Sequence, residues 1–224
     1  MGIIGVVAAL TLPNLNSSTG DREKVAKVKK IYQNLNDAFG RAQAVYGPYD
    51  EWFVNDTTDV QKSKRFGERM TEFMKVSKDC AMEKGCFTSG NSKGLDGDNA
   101  EDLYNKDSHY KIITADGTSI AFWSRSDDTS FVEVDIDGPN KGPYTYGKDV
   151  FAFTNIDAGG NRVNAIYPLG TYGTFDDILY DVKVKGGSLA ATWIINYDNM
   201  DYLKLKNGKC PNGTELTESN PRCK

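Results

Sequence analysis

From Gly2 to Leu12 the chain carries no charge and shows no polar face, and Pro13 closes the run. No other feature limits the fold as much. A run of this length is too short to cross a bilayer, which takes about 20 helical residues. A secretory signal peptide would place basic residues ahead of the run, and none stands there. A buried core helix sits oddly at an exposed terminus. The expectation is therefore the C-terminal half of a longer apolar helix, truncated at its start.

The rest of the chain has a different character. Charged residues make up 26% of the 224 residues, enough polar surface for one water-soluble domain with a small appendage. The net charge of -4, with Lys and Arg spread along the chain, offers no basic stripe, so nucleic acid is not an expected partner. The single histidine, His109, excludes two-histidine metal motifs. A Ser-His-Asp triad would have to rest on Asp107-Ser108-His109 with no G-x-S-x-G elbow, and no phosphate-binding glycine loop occurs. The sequence reads as a non-enzyme, with His109 a polar residue at the start of a strand.

Asn16 to Gly20 interrupts the apolar helix, and Ser18-x-x-Asp21 is a capping signal for a new one. Val25, Val28, Ile31, Tyr32, Leu35, Phe39, Ala42 and Val45 then recur at three- and four-residue steps, the mark of an amphipathic helix ending near Gly47-Pro48. A second helix is predicted from about Val60 to Val76, and the polar, acidic stretch Thr88 to Asn105 reads as a surface loop. Strands are predicted at His109–Thr114, Thr118–Ser124, Phe131–Ile136, Asp149–Thr154 and Arg162–Tyr167, with turns at Ala115-Asp-Gly117 and Ala158-Gly-Gly160. Leu189 to Tyr197 suits either a helix or a strand, with Trp193, Ile194 and Ile195 buried. The predicted class is α+β: a long N-terminal amphipathic helix packed on an antiparallel sheet of four or five strands.

Cys80, Cys86, Cys210 and Cys223 permit three disulfide pairings; proximity favours Cys80–Cys86 and Cys210–Cys223, each closing a short loop. Cysteines in a polar tail fit disulfides, and hence an oxidising, extracytoplasmic location, better than free thiols.

Gly2-Ile-Ile-Gly-Val-Val-Ala-Ala-Leu-Thr-Leu-Pro13-Asn14-Leu15 resembles the second half of the N-terminal segment of type IV prepilins and pseudopilins. The likeness is strong over the first fifteen residues and weaker beyond. It implies a leader cleaved ahead of an N-methylated residue, often Phe, followed soon by a Glu, both about ten residues before Gly2 by bilayer length. It also implies a helix-kinking proline, matched here by Pro13. On this resemblance residues 1–20 are the C-terminal half of a membrane and filament-core helix, 21–203 a pilin-like globular domain, and 204–224 a polar tail with a disulfide loop. The implied function is a structural subunit of a type IV pilus-like extracellular filament, anchored in the inner membrane before assembly. Its implied partners are other pilin subunits, through the N-terminal helix, and the assembly machinery of the inner membrane. Three alternatives stand beside it: a type II secretion pseudopilin, a minor pilin binding a surface ligand, and a secreted domain binding a glycan or peptide.

One loop has the pattern of a cation site. Asp135, Asp137, Asn140 and Asp149 offer oxygens around the sharp turn at Gly138, as a hard cation such as Ca²⁺ requires. No EF-hand Glu stands downstream at the right spacing. The strand-loop-strand also resembles one common in pilin-like proteins, and the major pseudopilins bind calcium in a loop. The competing reading is an acidic turn whose side chains accept backbone N–H groups. No other cofactor is expected. Asp96, Asp98 and Asp102 form a second, weaker cation candidate that reads better as a solvated acidic loop, and Tyr144, Tyr146, Tyr167 and Tyr172 read as either strand filler or a binding face. N-x-[ST] triplets at Asn16, Asn55 and Asn212 carry little weight.

Overall fold

The computed structural model describes residues 3–142 and 144–223, with side chains from Gly20 onward. The helix runs without a break through Asn16–Gly20, so the interruption expected there and the new start expected at Ser18 are not found: helical hydrogen bonding continues across the polar stretch. The kink expected at Pro13 lies outside what is described.

The first helix, α1 (Ile3–Tyr46), seats its described half through the predicted stripe. Val25, Val28, Ile31, Leu35, Ala38, Phe39 and Ala42 are all buried, while Tyr32 is half-buried with its ring parallel to Phe153. Val45 departs from the stripe and stands 60% exposed. The helix stops where Gly47, at φ +83°, returns its N–H to the Gln43 carbonyl, a conformation that glycine adopts without steric cost. A short 3₁₀ turn comes next, and Phe39, Tyr49, Trp52 and Phe66 pack as an aromatic cluster with centroids 5.2–6.4 Å apart.

Helix α2 (Asp59–Thr71) opens on a capping box between Thr58 and Gln61. It ends five residues before the predicted limit, because Val76–Ala81 leaves it to form the edge strand β1. The sheet then runs β2 (Tyr110–Thr114), β3 (Ser119–Ser124), β4 (Ser130–Asp135), β5 (Val150–Ile156) and β6 (Arg162–Pro168). All six strands are antiparallel neighbours in chain order.

Register explains the two faces. Ile112 pairs with Ile120, Phe122 with Val132, and Val134 with Phe151, so period-two alternation aims all of them toward α1 and α2. Lys111, Ala121, Glu133, Asp135, Val150 and Ala152 point the other way. That second face is not open to solvent. Phe87, Leu103, Tyr144 and Tyr146, from the long segments flanking β2 and β5, pack onto Ala121, Val150 and Ala152. The predicted surface loop over 88–105 is thus partly a cover: Ser92 and Leu103 are fully buried, while its acidic tip at Asp96 and Asp98 is turned outward.

Two short helices complete the chain. Helix α3 (Phe175–Val184), capped by Thr174 and Asp177, has no counterpart among the predicted elements. Helix α4 (Ala190–Tyr197) resolves the ambiguous apolar segment; it buries Trp193 and Ile194 but leaves Ile195 half-buried. The tail is docked. Cys210 and Leu216 join the core, and the Cys223 N–H donates to Asp201 at 2.8 Å.

Both disulfides take the pairing that proximity favours, Cys80–Cys86 and Cys210–Cys223. By loop-closure entropy, replacing Cys210 and Cys223 with Ser should lower stability by about 3 kcal/mol and replacing Cys80 and Cys86 by about 2, read from urea unfolding.

Candidate functional site

The loop between β4 and β5 is the candidate cation site of the sequence. Gly138 makes its sharp turn at φ +78°, and an added Cβ would lie 2.2 Å from the Gly117 carbonyl, so only glycine fits against the neighbouring turn. Asp135 is fully buried; one oxygen accepts from the Asp137 and Gly138 N–H groups at 3.1 and 3.2 Å. Its other oxygen has no hydrogen-bond partner among the described residues. Asp149, also fully buried, accepts from the Tyr144 and Thr145 N–H groups at 2.7 and 2.5 Å. Burial, then the neighbouring Asp149 carboxylate, pushes Asp135 up to about 7, and burial raises Asp149 as well.

The structure therefore brings Asp135, Asp137 and Asp149 within electrostatic reach of one another, but not the full predicted set. Asp137 turns to the Lys24 ammonium at 3.6 Å, and Asn140 is exposed. Lys24 also donates to the Lys148 carbonyl at 3.0 Å, and Lys27 to the Ile136 carbonyl. Two lysines of α1 thus hold this loop down. Among the described residues no group of three or more His, Cys, Asp or Glu side chains converges as a metal site would. The backbone N–H groups that Asp135 and Asp149 accept are the bonds of the acidic-turn reading. Melting temperatures measured in millimolar Ca²⁺ and in EGTA are accordingly expected to coincide; a rise of several degrees with Ca²⁺ would restore the cation reading.

Beside this loop lies a buried polar cluster that sequence reasoning did not find. Glu133, 7% exposed, accepts from the Tyr146 hydroxyl at 2.8 Å, and its second oxygen lies 3.8 Å from His109 Nε2. Ser108 Oγ stands 3.0 Å from His109 Nδ1, and the imidazole stacks on Trp123 at 5.3 Å. Burial pushes Glu133 up to about 7; burial, with Lys106 and Lys111 nearby, pushes His109 down to about 3. Between those limits both groups are neutral, so the pair is not an ion pair. Lys111, also buried, donates to the Lys106 carbonyl. In the sequence, Phe131-Val-Glu-Val-Asp has the pattern of a strand with an acidic solvent face, and nothing in it announces a cover.

The four tyrosines do not form a common face. Tyr144 and Tyr146 are 5% exposed, Tyr167 is half-buried, and Tyr172 is open at 50%. Asp96 and Asp102 are spent on local turns, accepting from Asp98 and Asn105.

A groove of about 790 Å³ lies at the C-terminal end of α1, between the 3₁₀ turn at Tyr49 and the β3–β4 and β5–β6 turns. Sequence reasoning misses it too, because its walls come from three stretches far apart in the chain. No protein-family model, curated protein or solved structure matches this chain.

Proposed function

We propose that the chain is a structural subunit of a type IV pilus-like extracellular filament, held in the inner membrane until assembly. The observation that carries this reading is α1 itself. One helix, Ile3–Tyr46, begins in the pilin-like apolar segment and ends as a stripe seated on an antiparallel sheet, with Val25 the first of the buried residues described along it. Two disulfides support an oxidising destination for the globular part. Among the described residues no helix is long and apolar enough to cross a membrane. The membrane and filament-core role is assigned to the apolar segment that the resemblance covers.

On this reading the apolar helices of many subunits pack together in the filament core, exchanging lipid contact for helix contact. The inner-membrane assembly machinery draws each subunit out, and the sheet and its covering loops form the outer surface. Immunogold labelling with an antibody against the disulfide-closed tail is expected to decorate filaments on intact cells. Label confined to the cytoplasm or to cell bodies without filaments would refute the reading.

A further inference from the structure

The groove at the C-terminal end of α1 has the build of a ligand site. Its volume lies within the range of small-molecule sites, about 300–1,000 Å³. Tyr49, Ile156 and Val163 give it apolar surface, and polar side chains stand around them.

Its charges are unevenly used. Asp128 is met by Lys62 at 2.5 Å and by Arg162 at 3.6 Å, and Asp127 accepts from the Thr129 N–H at 3.0 Å. Arg162 also donates to the Asp127 carbonyl. These groups satisfy one another and shape the groove. Arg125 and Asp50 differ: among the described residues neither comes within ion-pair distance of a partner, although the Arg125 charge helps hold the Asp127 carboxyl low, and both are exposed on the lining.

Arg125 is not a loose surface side chain. Its guanidinium carbon lies 5.3 Å from the Trp123 ring centre and 4.9 Å from that of Phe131. Those two rings are cross-strand neighbours stacked at 4.3 Å with an interplanar angle of 17°. A guanidinium packed beside a stacked aromatic pair has fewer orientations open to it than a free one. Ordering costs that weaken a flexible surface arginine are thereby reduced.

We propose that this groove binds a carboxylate-bearing saccharide, with Arg125 taking the carboxylate through a bidentate contact and Asp50 accepting sugar hydroxyls. Ile156 and Val163 meet the C–H face of a sugar ring, and the exposed amides Asn161 and Asn164 extend the hydrogen-bonding rim. The balance of charge favours a sugar over a polyanionic peptide: Asp50 opposes a densely negative ligand but welcomes hydroxyls. The assignment does not depend on the chain's assembling into filaments.

The test is calorimetric titration of the full chain with an acid trimer (a neutral disaccharide extended by a single glucuronic acid), its methyl ester, and polyglutamate. The acid trimer is expected to bind saturably, with Arg125→Ala weakening it at least tenfold and Lys141→Ala, exposed and off the groove, leaving it unchanged. The methyl ester should bind at least tenfold more weakly. Absence of saturable binding, equal affinity for the ester, an unaffected Arg125→Ala variant, or equal displacement by polyglutamate would each overturn the proposal.

Discussion

Gly67→Ala is expected to destabilise the protein by about 3 kcal/mol, although alanine in a helix interior normally adds about 1 kcal/mol of stability over glycine. Gly67 lies inside α2, where the helix crosses β2. A Cβ added there would stand 2.2 Å from Cγ and 2.4 Å from Cβ of Tyr110. Those are not the far atoms of a flexible chain. They sit at the root of a side chain fixed in the sheet, and the Tyr110 hydroxyl is held by Asp79 at 2.6 Å. Either α2 lifts from the sheet or Tyr110 leaves its rotamer, and both moves disturb Phe66 and Met70, which are fully buried on the same helix. The clash belongs to a pair, so it is testable as a pair. In a Tyr110→Ala background the same substitution should regain at least half of its cost, a coupling that a double-mutant cycle in urea reads directly.

The second large effect is of pH. Glu133 and Asp135 are both pushed up to about 7 by burial. A carboxyl whose folded pKa is raised contributes stability that is present below its unfolded value and lost as pH climbs through the folded one. Each is worth on the order of 3 kcal/mol over the window from about pH 4.5 to 7. His109, pushed down to about 3, acts oppositely: its contribution is present above about 6.5 and fades as pH falls. Between pH 4.5 and 6.5 two carboxyls oppose one imidazole, so the net slope has the sign of a single carboxyl. Asp149 and Asp181, also raised by burial, add in the same direction.

Stability should therefore peak near pH 4.5 and fall by about 3 kcal/mol by pH 7.5, with the curve flattening above that. Below about pH 4 the exposed carboxylates of Asp127, Asp177 and Asp198, held low by hydrogen bonds, lose their contribution. Glu133→Gln keeps the shape and the Tyr146 hydrogen bond while removing one titration, so it should remove most of the fall, the Asp135 and His109 contributions then nearly cancelling. Urea midpoints at several pH values measure both curves; a wild-type curve rising from pH 5 to 7 would contradict the placement of Glu133 and Asp135 under the loops.

Much of this fold is legible because its strands alternate cleanly and end in strong turns. Ile112, Ile120 and Phe122 fall at every second position around a turn whose Gly117 takes φ +84°. The stripe of α1 is equally plain. Strand β1 is not, since an edge strand with exposed Ser77, Lys78 and Asp79 buries too little to show a period. Helix α3 is hidden by its brevity: its ten residues make fewer than three turns, too few for Phe175, Ile178 and Val182 to declare a period, and the Thr174–Asp177 cap marks its start.

The acidic loop illustrates a different limit. Its aspartates are visible, but the positive charges that meet the loop come from Lys24 and Lys27, more than a hundred residues earlier in the chain. Oxygen spacing alone cannot distinguish a bound cation from two lysines on a neighbouring helix. Glu133 and His109 pose the same problem in reverse, for their burial depends on a cover supplied by Leu103 and Tyr146. Arg125 reads as one more surface charge until the register of β3 with β4 sets Trp123 and Phe131 beneath it.

The filament assignment is tested most directly by mass-spectrometric N-terminal sequencing of the native protein recovered from a sheared cell-surface fraction. The expected result is a mature polypeptide beginning about ten residues upstream of Gly2, with an N-methylated first residue and the Glu of the pilin segment close behind it. A protein absent from that fraction, or recovered there with no apolar extension ahead of Gly2, would contradict it.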